Sequence, residues 1–158
     1  MTESAVPLRS ALTGGVLTLT LDRPEKRNAL SGAMVEALHA ALERADLHAE
    51  ARVVVLRGAG KDFCAGADLD ELLASADLTL AENEGTALRL GALFGRMRAL
   101  PKPVLAAVHG RALAGGAGLV TACDIAIAGA GAQLGYPEIQ RGFVPAMVMT
   151  LLRRATGE

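Results

Sequence analysis

The chain has 158 residues, 51% hydrophobic and 21% charged, enough apolar material for the core of one globular domain and too much for a disordered segment. With 16 Lys and Arg against 17 Asp and Glu, the formal net charge of −1 excludes a global field directed at nucleic acid or an anionic membrane, so any anion must be gripped locally. Cys64 and Cys123 stand apart with no CxxC or Cys/His spacing, which excludes a sequence-readable zinc site or disulfide framework and points to a reducing cytoplasm.

Residues 1–15 carry no cationic start followed by an apolar run, and no uninterrupted apolar stretch approaches membrane-spanning length, so the reading is against export and against a membrane partner. Aromatic residues make up only 3% while glycines number 18, a mixture that lets backbone segments approach one another and a ligand closely.

In chain order, Val16–Leu21 alternates, is rich in Leu, Val and Thr, and stops at Asp22-Arg23-Pro24, which predicts a strand leaving into a loop. Ser31 is an N-cap candidate, and Met34, Val35, Leu38, Ala41, Leu42 and Ala45 recur at helical spacing over 34–47. The short apolar run Val53-Val54-Val55-Leu56 within 52–57 predicts a strand covered on both faces, ended by Gly58-Ala59-Gly60. A small-residue loop, 62–68, leads into a helical turn at 69–74; a polar stretch around Asn83 reads as a mobile loop before a helix over 86–100. Pro101 and Pro103 close that helix, Val104–Val108 forms another buried strand, and Ala114-Gly115-Gly116-Ala117-Gly118 opens a small-residue helix to about Ala122. A strand over 124–128 follows, and an apolar helix starts near Ala146, so the chain stops where a further element is expected. Strands alternating with helices predict an α/β arrangement with right-handed crossovers, its active site where strand ends meet helix N-termini. No repeat, low-complexity tract or linker divides residues 1–158, which read as one core domain.

Two glycine-rich turns, at 64–68 and 114–118, share one pattern: an apolar strand, a sharp small-residue turn, a helix start. Helix N-termini leave amide N–H groups unpaired and carry partial positive charge, so two such turns facing each other can hold a developing negative oxygen. The same residues also suit tight helix–strand packing, and composition alone leaves both readings open. The dinucleotide GxGxxG spacing and the Walker Gly-Lys-Ser/Thr pattern are absent, which disfavours a third reading, a nucleotide-binding α/β domain.

Four ordered blocks then carry a resemblance. Leu21-Asp22-Arg23-Pro24-Glu25-Lys26-Arg27-Asn28-Ala29-Leu30, Phe63-Cys64-Ala65-Gly66-Ala67-Asp68-Leu69, Ala107 to Gly116, and Ala132 to Ile139 with Gly142-Phe143-Val144-Pro145 resemble the consecutive signatures of the crotonase, or enoyl-CoA hydratase/isomerase, family over nearly the whole chain. The resemblance implies a crotonase-like spiral of repeated β-β-α units, lacking its C-terminal helical region, that takes an acyl-CoA thioester. Ala67 and Gly115 would donate the amides of an oxyanion hole, and Glu138 would be the catalytic acid/base. Ala65 would lie beside the adenine. Lys26, Arg27 and Lys61 fall where basic groups face the CoA phosphates, the alternative for each being a solvated surface charge, and Ala29, Gly66, Asp68, Leu69 and Gly116 complete the CoA- and substrate-binding set. A carboxyl group among apolar walls suits proton transfer at the α or γ carbon of a thioester; the competing role for Glu138 is to cap a short helix after Pro137.

The departure from the family pattern is Gly118, which stands where two-glutamate hydratases carry their other catalytic glutamate; the resemblance tilts toward a single-glutamate enzyme moving protons through a dienolate, and because some hydratase-like members also lack that glutamate, hydration stays open as the second activity. No metal or redox cofactor is implied; coenzyme A enters only as part of the substrate. The alternative is a non-catalytic acyl-CoA-binding or assembly module. The complete protein would form homotrimers, or hexamers as dimers of trimers. Other groups read as structural: His109 as a hydrogen-bonded turn residue, Cys64 as a packed thiol, Asp68 as a helix cap, with Asp70 and Glu71 bordering the acyl pocket or facing solvent.

Overall fold

The computed structural model describes residues 6–142 and 144–157. Phe143 of the fourth sequence block lies outside the described residues.

Strands β1 (Leu8–Thr13) and β2 (Val16–Leu21) form an antiparallel hairpin across Gly14-Gly15. Both turn residues have positive φ, 58° and 85°, the requirement of a two-residue loop whose twist matches the flanking strands. β2 then pairs in parallel with β3 (Val53–Gly58), β3 with β4 (Val104–Val108) and β4 with β6 (Ile125–Ala128), giving a five-stranded sheet in the order β1-β2-β3-β4-β6. A second, smaller layer consists of β5 (Arg111–Leu113) paired in parallel with β7 (Gln133–Gly135), extended by the bridges Cys64 to Ala112 and Leu30 to Ala67. The chain thus alternates between a strand of the large sheet, a short extended segment of the small one, and a helix. That is the predicted β-β-α repeat.

The helices are α1 (Gly32–Leu47), α2 (Leu69–Ala74), α3 (Leu80–Ala99), α4 (Gly115–Ala122) and α5 (Ala146–Thr156). Ser31 caps α1 as predicted, its Oγ accepting from the Met34 amide at 3.2 Å, and the six apolar positions read from the sequence are the six buried ones. They pack with Leu93, Phe94 and Met97 of α3 against Leu19, Leu21, Val54, Leu56 and Val108 of the sheet in one core cluster. None of the described helices is long and apolar enough to cross a membrane.

Two expectations are corrected, and three strands were not foreseen. The polar stretch around Asn83 is helix, not loop: α3 starts at Leu80 because Thr79 and Glu82 form a reciprocal capping box, with Glu82 Oε2 accepting from the Thr79 amide at 2.8 Å. β3 is covered on one face only, since Val53 and Val55 on the other face are half-buried and Arg57 is exposed. Strands β1, β5 and β7 escape sequence reading because β1 carries little apolar alternation and the other two are three residues long, held by pairing rather than by local pattern.

Candidate active site

The first turn is built by two segments lying side by side. Arg27 and Asn28 both adopt positive φ, 50° and 55°, and the Asn28 side chain, fully buried, secures the bend: its Oδ1 accepts from the Arg23 amide at 2.9 Å, and its Nδ2 donates to Ala59 O and Asp62 O, both at 2.8 Å. Alongside runs 65–68, held by Ala65 N donating to Arg27 O (3.0 Å), Leu30 N to Gly66 O (2.8 Å) and Asp68 N to Leu30 O (3.2 Å). In a planar trans peptide the C=O and N–H point in opposite directions, so the bond from Leu30 to Gly66 O turns the Ala67 N–H away from Leu30. Among the described residues that N–H meets no protein acceptor.

The second turn follows β5. Ala114 holds φ 49° and ψ −119°, a conformation an L residue adopts at a cost of order 1–3 kcal/mol. It is held there by its amide donating to Gly135 O at 2.9 Å and its carbonyl accepting from Gly118 N at 3.0 Å. Gly115, the first residue of α4, has no acceptor for its N–H among the described residues. The turns are in contact: a Cβ at Gly66 would sit 2.9 Å from Ala114 Cβ and 3.7 Å from Gly115 N, and one at Gly116 would run into the Cys64 carbonyl oxygen. Glycine at 66, with φ 100°, and at 116 is therefore the condition for bringing the two amides together.

A cavity of about 620 Å³ opens over both turns. Ala67, Gly115 and Glu138 line it, with apolar walls from Leu30, Leu72, Leu90 and Val148. Glu138 is set by the 3-10 turn Pro137–Arg141, whose first residue is proline; its Oε2 is buried with no hydrogen-bond partner among the described residues. An orphaned carboxylate oxygen at a cavity wall is available to a ligand. The N-cap of that turn is Tyr136, not Glu138, and it makes no side-chain cap bond.

Of the predicted site residues, the cavity brings together Ala67, Asp68, Gly115 and Glu138, while Lys26, Arg27, Ala29, Lys61, Ala65, Gly66, Leu69 and Gly116 stand outside its lining. Lys26 donates to Asp70 Oδ2 at 2.7 Å, and that hydrogen bond together with the Asp70 charge raises its pKa. Arg27 Nε lies 3.9 Å from Asp62 Oδ2, and Lys61 is exposed. Glu71 does border the cavity, where its Oε2 accepts from the Gly32 amide at 2.8 Å. Thr86 and Arg89 of α3 and residues 146–148 also line it without a sequence signal that marked them, as do Val144 and Pro145 of the fourth sequence block.

The groups read as structural behave so. His109 Nε2 is 2.9 Å from Gly60 O, which makes it the protonated ring nitrogen of a turn contact. Burial pushes the Cys64 thiol up to about 12, away from nucleophilic thiolate. The space beside Gly118 is filled: a Cβ there would lie 2.5 Å from Val148 Cγ1 and 2.8 Å from Phe94 Cζ.

Asp68 caps α2, its Oδ1 accepting from the Asp70 amide at 3.0 Å, and its Oδ2 accepts from Arg23 Nη1 at 2.8 Å. Burial alone would raise this carboxyl; the Arg23 hydrogen bond, the Asp70 and Glu71 amides and the Arg23 charge outweigh it and hold the pKa below the usual carboxylate range. A depressed native pKa contributes stability that is complete above the unfolded value of about 3.9 and is lost as pH falls through the native one. Acid unfolding followed by circular dichroism should therefore be shallower below about pH 4 in Asp68→Asn than in the native protein. Superimposable acid limbs would show that Asp68 gains nothing from its partners.

A family model described as "Enoyl-CoA hydratase/isomerase" matches residues 11–158. The chain is 46% identical to a putative enoyl-CoA hydratase of Thermus thermophilus over 145 residues, 92% of this chain and 57% of that protein. It is 42% identical to the 2,3-dehydroadipyl-CoA hydratase of Escherichia coli, covering 82% of this chain and 49% of that one. Among solved structures, a putative enoyl CoA hydratase/isomerase (crotonase) from Legionella pneumophila superposes with a TM-score of 0.93 at 38% identity, over 98% of this chain and 60% of its own. An enoyl-CoA hydratase from Shewanella pealeana gives 0.92 at 33% identity, over 96% of this chain and 57% of its own. The fold is thus the crotonase fold, and the chain spans about half the length of the curated relatives it matches.

Proposed function

The chain belongs to the enoyl-CoA hydratase/isomerase family, and from that premise we propose that it binds an unsaturated acyl-CoA thioester and moves a proton along the acyl chain. In this reading the thioester oxygen sits between the amides of Ala67 and Gly115, and the Glu138 carboxylate takes a proton from the α or γ carbon. The electron pair left behind delocalises onto the oxygen as an enolate, which two fixed N–H dipoles stabilise more than they stabilise the neutral carbonyl. Glu138 then returns the proton to the other carbon, shifting the double bond with no net gain or loss of atoms. One observation supports this above the rest: one cavity is lined by two amides and by a buried carboxylate oxygen that have no hydrogen-bond partner among the described residues.

Gly118 favours isomerisation over hydration. Activation of water by a second carboxylate needs a side chain where Val148 and Phe94 fill the space. Lys26, Arg27 and Lys61 as phosphate contacts, Ala65 beside the adenine, and Ala29, Gly66, Asp68, Leu69 and Gly116 as the rest of the binding set belong to the same proposal, as do a cytoplasmic location and a trimeric or hexameric assembly.

The test is a pair of absorbance assays on the purified protein, with a 3-enoyl-CoA gaining conjugation and crotonyl-CoA losing it. Isomerisation faster than hydration is expected. Flat traces in both, with CoA thioesters still protecting the protein from thermal unfolding, would replace the enzyme by an acyl-CoA-binding module. Without protection, both readings fall.

A further inference from the structure

We infer that Arg23 is a positioning residue for the thioester chemistry, acting through Asp68 to hold the Ala67 amide on line; this rests on the oxyanion-hole reading proposed above. The Ala67 N–H is aimed by the peptide it belongs to, whose carbonyl, Gly66 O, accepts from Leu30 N at 2.8 Å. The next peptide is tethered to Leu30 as well, but by the longer bond from Asp68 N to Leu30 O, 3.2 Å. Both of these tethers end on Leu30, and the third, from Ala65 N to Arg27 O at 3.0 Å, lies on the other side of Gly66, so the part of the segment after Ala67 can still pivot about Leu30.

Arg23 supplies the brace against that pivot. Its Nη1 donates to Ala29 O at 3.1 Å and to Asp68 Oδ2 at 2.8 Å, tying the residue before Leu30 to the residue after Ala67. The Asp68 side chain is 5% exposed and that of Arg23 22%, so the pair is shielded from the screening that makes surface ion pairs weak. Arg23 is itself located by its backbone amide, which donates to Oδ1 of the fully buried Asn28. Arg23 does not line the cavity, whereas Asp68 and Ala67 do. The guanidinium therefore reaches the reacting atoms only through the backbone it holds. A displacement of the donor by a fraction of an ångström weakens a bond that matters most in the transition state, which lowers kcat rather than binding.

The experiment compares Arg23→Ala and Arg23→Lys with the full-length native protein. Steady-state kinetics are taken per folded molecule, and infrared difference spectroscopy follows the carbonyl stretch of bound crotonyl-CoA. We expect Arg23→Ala to lower kcat by about 10- to 100-fold with KM changed by less than about 3-fold, and to lose part of the downward shift of the carbonyl band. Arg23→Lys should recover part of both, since an ammonium can still donate to Asp68. A kcat per folded molecule and a carbonyl band equal to the native ones in Arg23→Ala would overturn the inference. Should that variant not fold, Asp68→Asn, which keeps an acceptor for the α2 cap but removes the ion pair, is read by the same two criteria. If the native protein itself shows no carbonyl shift, it is the oxyanion reading that fails; a native shift that survives in Arg23→Ala sinks the positioning role alone.

Discussion

Glu138→Gln is expected to reduce turnover of an enoyl-CoA thioester by about 100- to 10,000-fold while leaving folding and thioester binding in place. Gln retains the size and hydrogen-bonding capacity of the native side chain but cannot take up a proton and pass it to a second carbon. Because the buried Oε2 has no protein partner among the described residues, the substitution breaks no structural hydrogen bond there. The loss should therefore appear in kcat, with KM and melting temperature close to native values. A large fall in melting temperature with kcat per folded molecule unchanged would identify Glu138 as a structural group of the turn after Pro137 and remove it from the chemistry.

The second large effect is at Gly118. Gly118→Glu should destabilise the protein by roughly 3 kcal/mol or more and should not create a hydratase. Overpacking a filled core typically costs about 1–3 kcal/mol, and a carboxylate without a partner adds several more unless it binds a proton. The first contacts of a new Cβ would be Val148 Cγ1 at 2.5 Å and Phe94 Cζ at 2.8 Å. Val148 is 5% and Phe94 2% exposed, so neither can swing outward without opening the contact of α4 with α5 or α3. Urea unfolding measures the first expectation, and formation of a 3-hydroxyacyl-CoA measures the second. A Gly118→Glu protein as stable as the native one that hydrates crotonyl-CoA would show that the space beside Gly118 is adaptable and that its filling carries no information about the reaction.

Much of the site was readable in advance where one residue type serves one local need. Ser31 ahead of an apolar periodicity meant a cap on α1, Asp68 ahead of Leu69 meant a cap on α2, and a histidine between a strand and a glycine meant a turn contact; all three are found. Local logic failed at Asn83, although a capping pair stands within four residues of it, and at Arg23, where the deciding partner is distant. Asn83 looked like loop because polar residues crowd it, yet Thr79 and Glu82 had already begun the helix; its Nδ2 donates to Ser75 O at 3.0 Å. Arg23 read as part of a strand exit and of the first family-like block, with no role of its own, since nothing near it in the chain announces a carboxylate 45 residues away.

By itself the sequence determined the alternation of strands and helices, the buried stripe of α1 and the two glycine turns at Ala67 and Gly115, because periodicity, capping and backbone freedom act over a few residues. Tertiary structure alone decided that the turns meet at Gly66 and Gly116, that Glu138 shares a cavity with both amides, and that the place beside Gly118 is taken by Val148 and Phe94. Those are matters of which atoms occupy one volume. Close packing settles them between elements far apart in the chain, beyond the reach of any window along it.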